Sequence, residues 1–268
     1  GDDFPEMISE WYRTHDYNFL AISDHNVLAQ GPRWMKQSEI QKRSGDEALE
    51  KYISRFGANW VETRATANPS DDDAVDLNHA TEVRLKPFND YRALLEERGQ
   101  FILLQSEEIS DDVGGKPIHM NVTNVHTAIE PLGGDTVPQA IEANLRAVEL
   151  QSEKTGQAML VHLNHPNFGY AVTAEELAEV VSERFFEVYN GHRSVNQLGD
   201  DSHPSIDRMW DIANTIRLAR YRTAPLFGVA TDDSHDYHGG ENSPGRGWIL
   251  VRARHLTPES LIRAMKRG

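Results

Sequence analysis

Carboxylate and imidazole side chains follow directly on an apolar run near the end of this chain, and together they could bind a metal ion. The run covers residues 226–230 and is followed by Asp232, Asp233 and His235. A short apolar run bounded by turn residues is typical of a buried strand, most often in a parallel sheet. Since α/β folds place their chemistry at strand ends, these side chains are expected to face one cavity.

The same order, an apolar strand followed by polar side chains, recurs along the chain. It predicts strands at residues 17–23, 101–105, 118–125, 158–163, 185–189 and 226–230. Helical patterns between most of them favour parallel strands joined by helical crossovers. An open sheet gathers its site from few strand ends, whereas a closed barrel gathers one from nearly all of them. Because all six strands end in or carry polar groups, the pattern favours an α/β barrel.

The remaining elements follow from capping residues and apolar periodicity. We expect helices that begin at Pro5 and at Pro258, and a helix after the capping box of Thr173 and Glu176. Further helices are expected over residues 34–40, 47–56, 89–97, 137–154 and 204–220. A last strand is expected over residues 247–251. Residues 31–90 interrupt the alternation and are expected to form an insertion, either a substrate lid or a surface elaboration. Within it, the acidic tract 68–76 is expected to be a loop. We expect one domain over residues 1–268.

The composition argues against several classes of protein. With 42 acidic and 27 basic residues the net charge is −15, which disfavours a general binder of nucleic acids or anionic membranes. No apolar run is long enough to span a bilayer. The absence of cysteine excludes disulfides, thiolate nucleophiles and cysteine-ligated zinc. The twelve histidines are therefore the informative group, while the oligomeric state is left open.

Six side chains on or just past the predicted strands are candidate metal ligands: His25, Glu108, His119, His165, Asp233 and His235. Imidazole and carboxylate together suit Zn²⁺, Mn²⁺ or iron. Such a centre can generate a metal-bound hydroxide near neutral pH, and two ions can clamp both oxygens of a displacement. One such histidine alone is more often structural, but six ligands at successive strands predict a metal centre. The other histidines that we expect at the surface are His15, His79, His126, His203 and His255.

The ordered set of these motifs resembles the PHP (polymerase and histidinol phosphatase) superfamily over nearly the whole chain. The matching segments are Asp24-His25, Glu108, His119, Asn164-His165-Pro166 and Asp233-Ser-His235. The segments Tyr189-Asn-Gly-His192, Asp232-Asp-Ser-His-Asp-Tyr237 and Pro244-Gly-Arg-Gly-Trp248 are similar to its carbaryl hydrolase-type branch. The resemblance implies a distorted (βα)7 barrel that holds two or three divalent ions, Zn, Mn or Fe.

The resemblance also implies a role for each candidate residue. Glu108 would be the bridging carboxylate, with the adjacent Glu107 as the alternative, and His119 and His165 would share one ion with it. His25 and His235 would hold another ion, and Asp233 would bind a third together with a His-x-His pair. Asp24 and Asp232 would orient ligands or accept protons. His192 would face the cavity with Asn190, and Arg246 would bind a substrate oxygen unless it forms a structural ion pair.

One part of the family pattern is absent from this chain. The family's first strand carries His-x-His, closely followed by Ser-Asp-Gly, and Gly1 resembles that glycine. We therefore expect both termini to be truncated and the first barrel strand, with its paired histidines, to lie upstream of Gly1.

The predicted function is that of a metal-dependent hydrolase in which a metal-bound hydroxide attacks a small anionic phosphate ester. Up to three divalent ions would outweigh the two anionic ligands, Glu108 and Asp233, and would favour an anionic substrate. One alternative is a carboxylic or carbamic ester hydrolase on the same site, which the aromatic residues of the 31–90 insertion would suit. Another is a non-catalytic, metal-stabilised PHP module. The amidohydrolases use similar ligands, but they usually bridge their metals with a modified lysine where this chain offers Glu108.

Overall fold

The structure is a computed structural model that describes residues 1–66 and 81–268. Its elements in chain order are α1 (Pro5–Thr14), β1 (Phe19–Ile22), β2 (Arg33–Lys36), α2 (Gln37–Ser44), α3 (Ala48–Phe56), β3 (Thr63–Ala65), β4 (Thr81–Leu85), α4 (Phe88–Leu95), β5 (Ile102–Val113), β6 (Lys116–Thr123), α5 (Val137–Thr155), β7 (Leu160–Leu163), α6 (Ala174–Glu179), β8 (Phe185–Asn190), α7 (Ile206–Ile216), β9 (Phe227–Thr231) and α8 (Pro258–Met265). The predicted acidic loop 68–76 and His79 lie outside the described residues. Among the helices that are described, none has the length and apolar character needed to cross a membrane.

The chain packs as two compact units. The first consists of Gly1–Leu20, Ala29–Leu103 and His235–Gly240. It contains α1 to α4 and a three-stranded antiparallel sheet in the order β2-β4-β3. Its core is formed by the side chains of Phe4, Ile40, Ala48, Tyr52 and Val83.

The predicted insertion 31–90 falls in this first unit, and one of its helices starts later than predicted. Residues 34–36 belong to β2, because they pair with β4 in a ladder from Arg33 opposite Leu85 to Lys36 opposite Glu82. The helix α2 therefore begins only at Gln37. Here pairing with a distant strand overrides the local helical pattern. Whether the insertion acts as a lid stays a prediction.

The second unit consists of Ala21–Leu28, Leu104–Ser234 and Glu241–Gly268. The six strands that the apolar runs predicted form a single curled sheet, a half-barrel in the order β1-β5-β6-β7-β8-β9. The helices α5 and α8 begin at Val137 and Pro258 as predicted, with Thr136 and Thr257 as their N-caps, and the predicted capping box of Thr173 and Glu176 is present at α6. The predicted α/β class is confirmed, and the half-barrel is compatible with a distorted barrel.

The predicted parallel arrangement holds for only part of the sheet, because the sheet is mixed. β7, β8 and β9 are parallel neighbours, whereas β6 is antiparallel to both β5 and β7. The cause lies in Gly114 and Gly115, which join β5 directly to β6 and have φ of 62° and 85°. Two successive residues with positive φ form the tight turn of a β-hairpin, which leaves no room for a crossover helix.

The two faces of the sheet differ sharply in chemistry. One face packs on the helices through the cross-strand neighbours Ile109, Met120, Leu163 and Phe186, which are buried in the main apolar core. Side chains alternate along a strand, so the residues between them point the other way. On that second face, Glu108, Asn121 and His162 are neighbours across β5, β6 and β7. This polar face carries the candidate site.

The predicted last strand over 247–251 does not form. The segment has no regular structure, and the side chains of Trp248 and Leu250 are 56% and 94% exposed. The backbone N–H of its first residue, Gly247, donates to the side chain of Asp232 instead of to a strand ladder.

Candidate metal centre

Glu108 is surrounded by imidazole groups on the polar face of the sheet. It lies within β5, not past the end of a strand as predicted. Its Oε1 lies 3.0 Å from His119 Nδ1 and 3.7 Å from His165 Nε2, and its Oε2 lies 3.3 Å from His25 Nδ1. The rings of His25 and His119, and those of His119 and His165, meet edge to face with centroids 5.1 Å apart. Four of the six predicted ligands therefore come together.

Glu107 points away from this cluster. Adjacent residues of a strand face opposite sides of the sheet. Glu107 is fully buried on the other side, where its Oε1 accepts a hydrogen bond of 2.9 Å from the backbone N–H of Ile129. The position of Glu108 among the imidazoles supports it, rather than Glu107, as the bridging carboxylate.

The cluster offers ligand atoms for a metal ion, and one of them is a buried nitrogen without a hydrogen-bond partner among the described residues. His25, Glu108 and His119 each offer a ligand atom within 4.8 Å of the other two, and no second group of this kind occurs in residues 1–66 and 81–268. The Nδ1 atom of His119 is buried and makes no hydrogen bond with the residues described. A buried polar atom without a partner is costly. Two imidazoles with one carboxylate fit Zn²⁺, Mn²⁺ or Fe²⁺.

A short loop after β1 fixes the position of His25. The side chain of Asn26 accepts a hydrogen bond of 2.8 Å from the Ser110 N–H and donates one of 3.0 Å to the Ser110 carbonyl. The Asn26 N–H also donates to the Glu108 carbonyl at 2.8 Å. The Ser110 hydroxyl contacts His25 Nδ1. These bonds hold an exposed imidazole beside a buried carboxylate.

Asn164 fixes Glu108 from the opposite side. Its Nδ2 donates to Glu108 Oε1 at 2.9 Å, and its Oδ1 accepts from the Asn121 N–H at 3.1 Å. Its own N–H donates to the His119 carbonyl at 2.9 Å. Asn164 therefore makes three hydrogen bonds around the site, and its side-chain amide orients the carboxylate that the imidazoles share.

The electrostatics of the cluster keep Glu108 ionised. Burial raises the pKa of Glu108, but the neighbouring imidazoles of His119, His165 and His25 outweigh it, so the pKa lies below its usual range. The effect on His165 is reciprocal. Burial lowers the pKa of His165, whereas Glu108, Glu187 and Asp233 raise it, with a net increase. A carboxylate that stays charged in a buried site is a suitable metal ligand.

Asp233 is held near the cluster by an amide. It follows β9 with a φ of 45°, a left-handed conformation that aspartate adopts more readily than most residues. Its Oδ2 accepts a hydrogen bond of 3.0 Å from Asn190 Nδ2. The negative charge of Asp233 is also one of those that raise the pKa of His165. These contacts place Asp233 within electrostatic reach of a candidate ligand.

Asp232 holds a loop. Its carboxylate accepts hydrogen bonds of 2.8, 2.5 and 2.6 Å from the backbone N–H groups of Gly245, Arg246 and Gly247. The side chain of Arg246 is exposed and donates to the carbonyl of Glu241. Asp232 therefore determines where the backbone of Arg246 lies, and neither of the two predicted roles of Arg246 is decided by these contacts.

The remaining candidates are placed as follows. Asp24 accepts a backbone hydrogen bond of 3.1 Å from the Glu108 N–H, which ties the loop after β1 to β5. His192 follows β8, where its N–H donates to Asn190 Oδ1 at 2.8 Å and its Nδ1 accepts from the Ser194 N–H at 3.2 Å. His235 belongs to the first unit, and its carbonyl accepts from the Asp2 N–H at 3.0 Å. The ligand role of His235 stays a prediction.

Sequence reasoning missed two buried residues of the polar face, Glu187 and His162. Glu187 is fully buried in β8, and His162 Nε2 lies 3.5 Å from its Oε1. Both interrupt apolar strands, and a charged or polar residue in such a strand was the available signal. The predicted surface histidines His15, His126, His203 and His255 are exposed.

The arrangement as a whole places three imidazoles around one carboxylate, all of which could offer ligand atoms to a cation. Glu108 supplies the negative charge, His119 and His165 lie on its buried side, and His25 lies on its exposed side. An ion at Glu108 would thus be reachable from solvent past His25. No model of a known protein family matches the chain, and no curated protein matches it in sequence.

Proposed function

We propose that the chain is a metal-dependent hydrolase with its centre at Glu108, and that it acts on a small anionic phosphate ester. The observation that carries this proposal is the convergence of three imidazoles on one buried, ionised carboxylate. In this proposal the half-barrel is part of a distorted seven-stranded barrel of the PHP type, the superfamily whose motifs the sequence resembles. The centre would take two or three ions, Zn²⁺, Mn²⁺ or iron, with Asp233 as a further ligand.

The side chains of this chain would divide the work between them. Glu108, His25, His119 and His165 would hold the ion, and Asn164 would keep the Glu108 carboxylate turned towards it. The ion would supply Lewis acidity and a nucleophile at neutral pH. The exposed side of the cluster, marked by His25, would admit the substrate.

Charge supports an ester that carries a negative charge. Two or three divalent ions would bring four to six positive charges to ligands of which Glu108 and Asp233 are the anionic members. The chain itself is strongly acidic, with a net charge of −15, so an anionic substrate needs such a local reversal of the field. Arg246, whose backbone is held by Asp232, would add a donor for a phosphate oxygen.

The test is a direct comparison of four substrates with the protein loaded with Zn²⁺ or Mn²⁺. An aryl phosphate and a bis-aryl phosphate should turn over faster than an aryl acetate and an aryl carbamate. The Glu108→Gln variant, prepared and loaded in the same way, is the control and should lose at least about a hundredfold in kcat/KM, on the order of 3 kcal/mol.

Each other result has a distinct meaning. Faster turnover of the neutral esters would overturn the phosphoesterase proposal and favour the carboxylic or carbamic ester hydrolase. Metal binding without turnover of any of the four above the Glu108→Gln control would favour the non-catalytic, metal-stabilised module. A protein that binds none of these ions would overturn the proposed centre itself.

A further inference from the structure

Glu187 is a fully buried carboxylate that accepts hydrogen bonds from β8, from β9 and from the turn after β7. Its Oε2 accepts from the His165 N–H and from Asn190 Nδ2, both at 2.8 Å. Its Oε1 accepts from the Thr231 hydroxyl at 2.6 Å and lies 3.5 Å from His162 Nε2. The donors come from the turn after β7, from β8 itself and from β9.

Two of these partners lead directly to candidate ligands. His165 is bound through its own backbone, at the point where the chain turns out of β7. Asn190 Nδ2 is shared, because it donates to Glu187 Oε2 and also to Asp233 Oδ2 at 3.0 Å. Glu187 therefore fixes one ligand directly and reaches a second through a single amide.

A buried charge at this position needs a reason. Transfer of a carboxylate from water to the interior costs several kcal/mol unless it is paired and bonded, and an apolar residue is often as stable. The sequence around Glu187 is Phe-Phe-Glu-Val-Tyr, in which an apolar side chain would continue the strand pattern. Glu187 instead accepts hydrogen bonds from the backbone of His165 and from Asn190, which also binds Asp233.

We propose that Glu187 is a positioning residue that sets the orientation of His165 and Asp233 towards the bound ion. This inference rests on the proposed function, because it assumes that His165 and Asp233 face a metal. Outer partners of this kind typically affect metal affinity by about 10- to 100-fold when they are changed. Glu187 does not itself touch the ion in this proposal.

The experiment compares Glu187→Gln with Glu183→Gln, a matched change of a second buried carboxylate. Glu183 precedes β8 and accepts from the N–H groups of Arg184 and Phe185 at 2.8 and 3.0 Å. Glutamine has one oxygen that accepts and one NH2 group that donates. At position 187 it can therefore accept either from His165 and Asn190 or from Thr231, and the other donors must move. Metal affinity is measured by competition with a chelating dye, using Zn²⁺ and Co²⁺, and the visible spectrum of the Co²⁺ protein reports ligand geometry.

Glu187→Gln should weaken metal binding by roughly tenfold or more and alter the Co²⁺ spectrum, whereas Glu183→Gln should leave both near wild type. An affinity within about twofold of wild type with an unchanged spectrum would overturn the role of Glu187 and leave the metal centre standing. If the wild-type protein binds neither ion, the inference and the proposed function fail together. Equal losses in both variants would assign Glu187 to the stability of the strand alone.

A second variant covers the case in which Glu187→Gln does not fold, as judged by circular dichroism. Asn190→Ala removes the amide that joins Glu187 to Asp233 and leaves Glu187 bonded to His165 and Thr231. It should lower the affinity by at least about threefold and change the Co²⁺ spectrum. An unchanged affinity and spectrum in folded Asn190→Ala would overturn the proposed link from Glu187 to Asp233.

Discussion

At the scale of single residues, Glu107 and Glu108 show how one step along a strand separates two chemistries. Both carboxylates are buried. Burial raises the pKa of Glu107 to about 7, with only the Ile129 N–H to oppose it, whereas the imidazoles hold the pKa of Glu108 below its usual range. At neutral pH the first is partly protonated and the second is charged. Only Glu108 is therefore suited to bind a cation.

This difference gives a matched pair of variants. Glu108→Gln should lower the metal content of the purified protein and weaken affinity by at least about tenfold, because the shared negative charge is lost. Glu107→Gln should leave both unchanged, since its amide oxygen can still accept from the Ile129 N–H. Elemental analysis and dye competition measure the two quantities. The reverse pattern would identify Glu107 as the ligand.

Asp232 is expected to act on a loop. Asp232→Ala removes the acceptor of three backbone N–H groups, those of Gly245, Arg246 and Gly247. Hydrogen bonds to a charged group are worth about 1.5–3 kcal/mol each, and they are not additive, so a destabilisation on the order of 3 kcal/mol is expected. Amide hydrogen exchange over residues 241–251 should become faster, while metal content stays near wild type. A loss of metal as large as that of Glu108→Gln would show instead that Asp232 orients a ligand.

At the scale of elements, the segment just before β8 contains Glu183, a buried carboxylate whose titration is coupled to folding. Burial raises the pKa of Glu183 from 4.5 to about 7, which the N–H groups of Phe185 and Arg184 and the charge of Arg217 only partly offset. Between pH 4.5 and 7 the folded state then holds a proton that the unfolded state has released. The contribution of this group to stability is complete below pH 4.5 and is lost as the pH rises through about 7.

Glu183→Gln should remove this dependence. Its amide oxygen can accept the two backbone N–H groups without carrying a charge. Relative to wild type, the variant should gain stability as the pH rises from 5 to 8, by on the order of 3 kcal/mol. Urea unfolding at several pH values measures the difference. Parallel pH curves for the two proteins would contradict the raised pKa of Glu183.

The hairpin of β5 and β6 is the element that shapes the site. Its two-residue turn at Gly114 and Gly115 places β6 antiparallel beside β5, so that Ser110 lies opposite His119 and Glu108 lies opposite Asn121. A crossover connection would have placed His119 at a strand end, as in a regular barrel. The hairpin instead brings it alongside the carboxylate from the neighbouring strand.

At the scale of the whole molecule, metal binding should stabilise the protein. An ion that binds only the folded state adds about 2.7 kcal/mol when its free concentration is 100 times Kd. Zn²⁺ or Mn²⁺ should therefore raise the Tm by several degrees, and a chelator should reverse the change. Glu108→Gln is the control and should show little or no rise. An equal rise in Glu108→Gln would mean that the stabilising ion binds elsewhere.

The sequence by itself determined the six strands of the main sheet, most of the helices and the four side chains that meet at Glu108. Apolar runs bounded by turn residues predicted the six strands of the main sheet, and local capping residues predicted the starts of α6 and α8. These signals are local, because a cap or a strand pattern lies within a few residues. Histidine and carboxylate at those strands pointed to Glu108, His25, His119 and His165 in the same way.

Only the tertiary structure decided how these parts meet. The mixed direction of the sheet, the strand β2 in place of a helical turn, and the missing strand at 247–251 depend on pairing with distant segments. The choice of Glu108 over Glu107 depends on which face the helices cover. Glu187 was missed because its partners His165 and Thr231 lie after β7 and in β9, and only the arrangement of the strands brings them to it. Contacts between residues far apart in sequence follow from packing, and no short stretch of the chain encodes them alone.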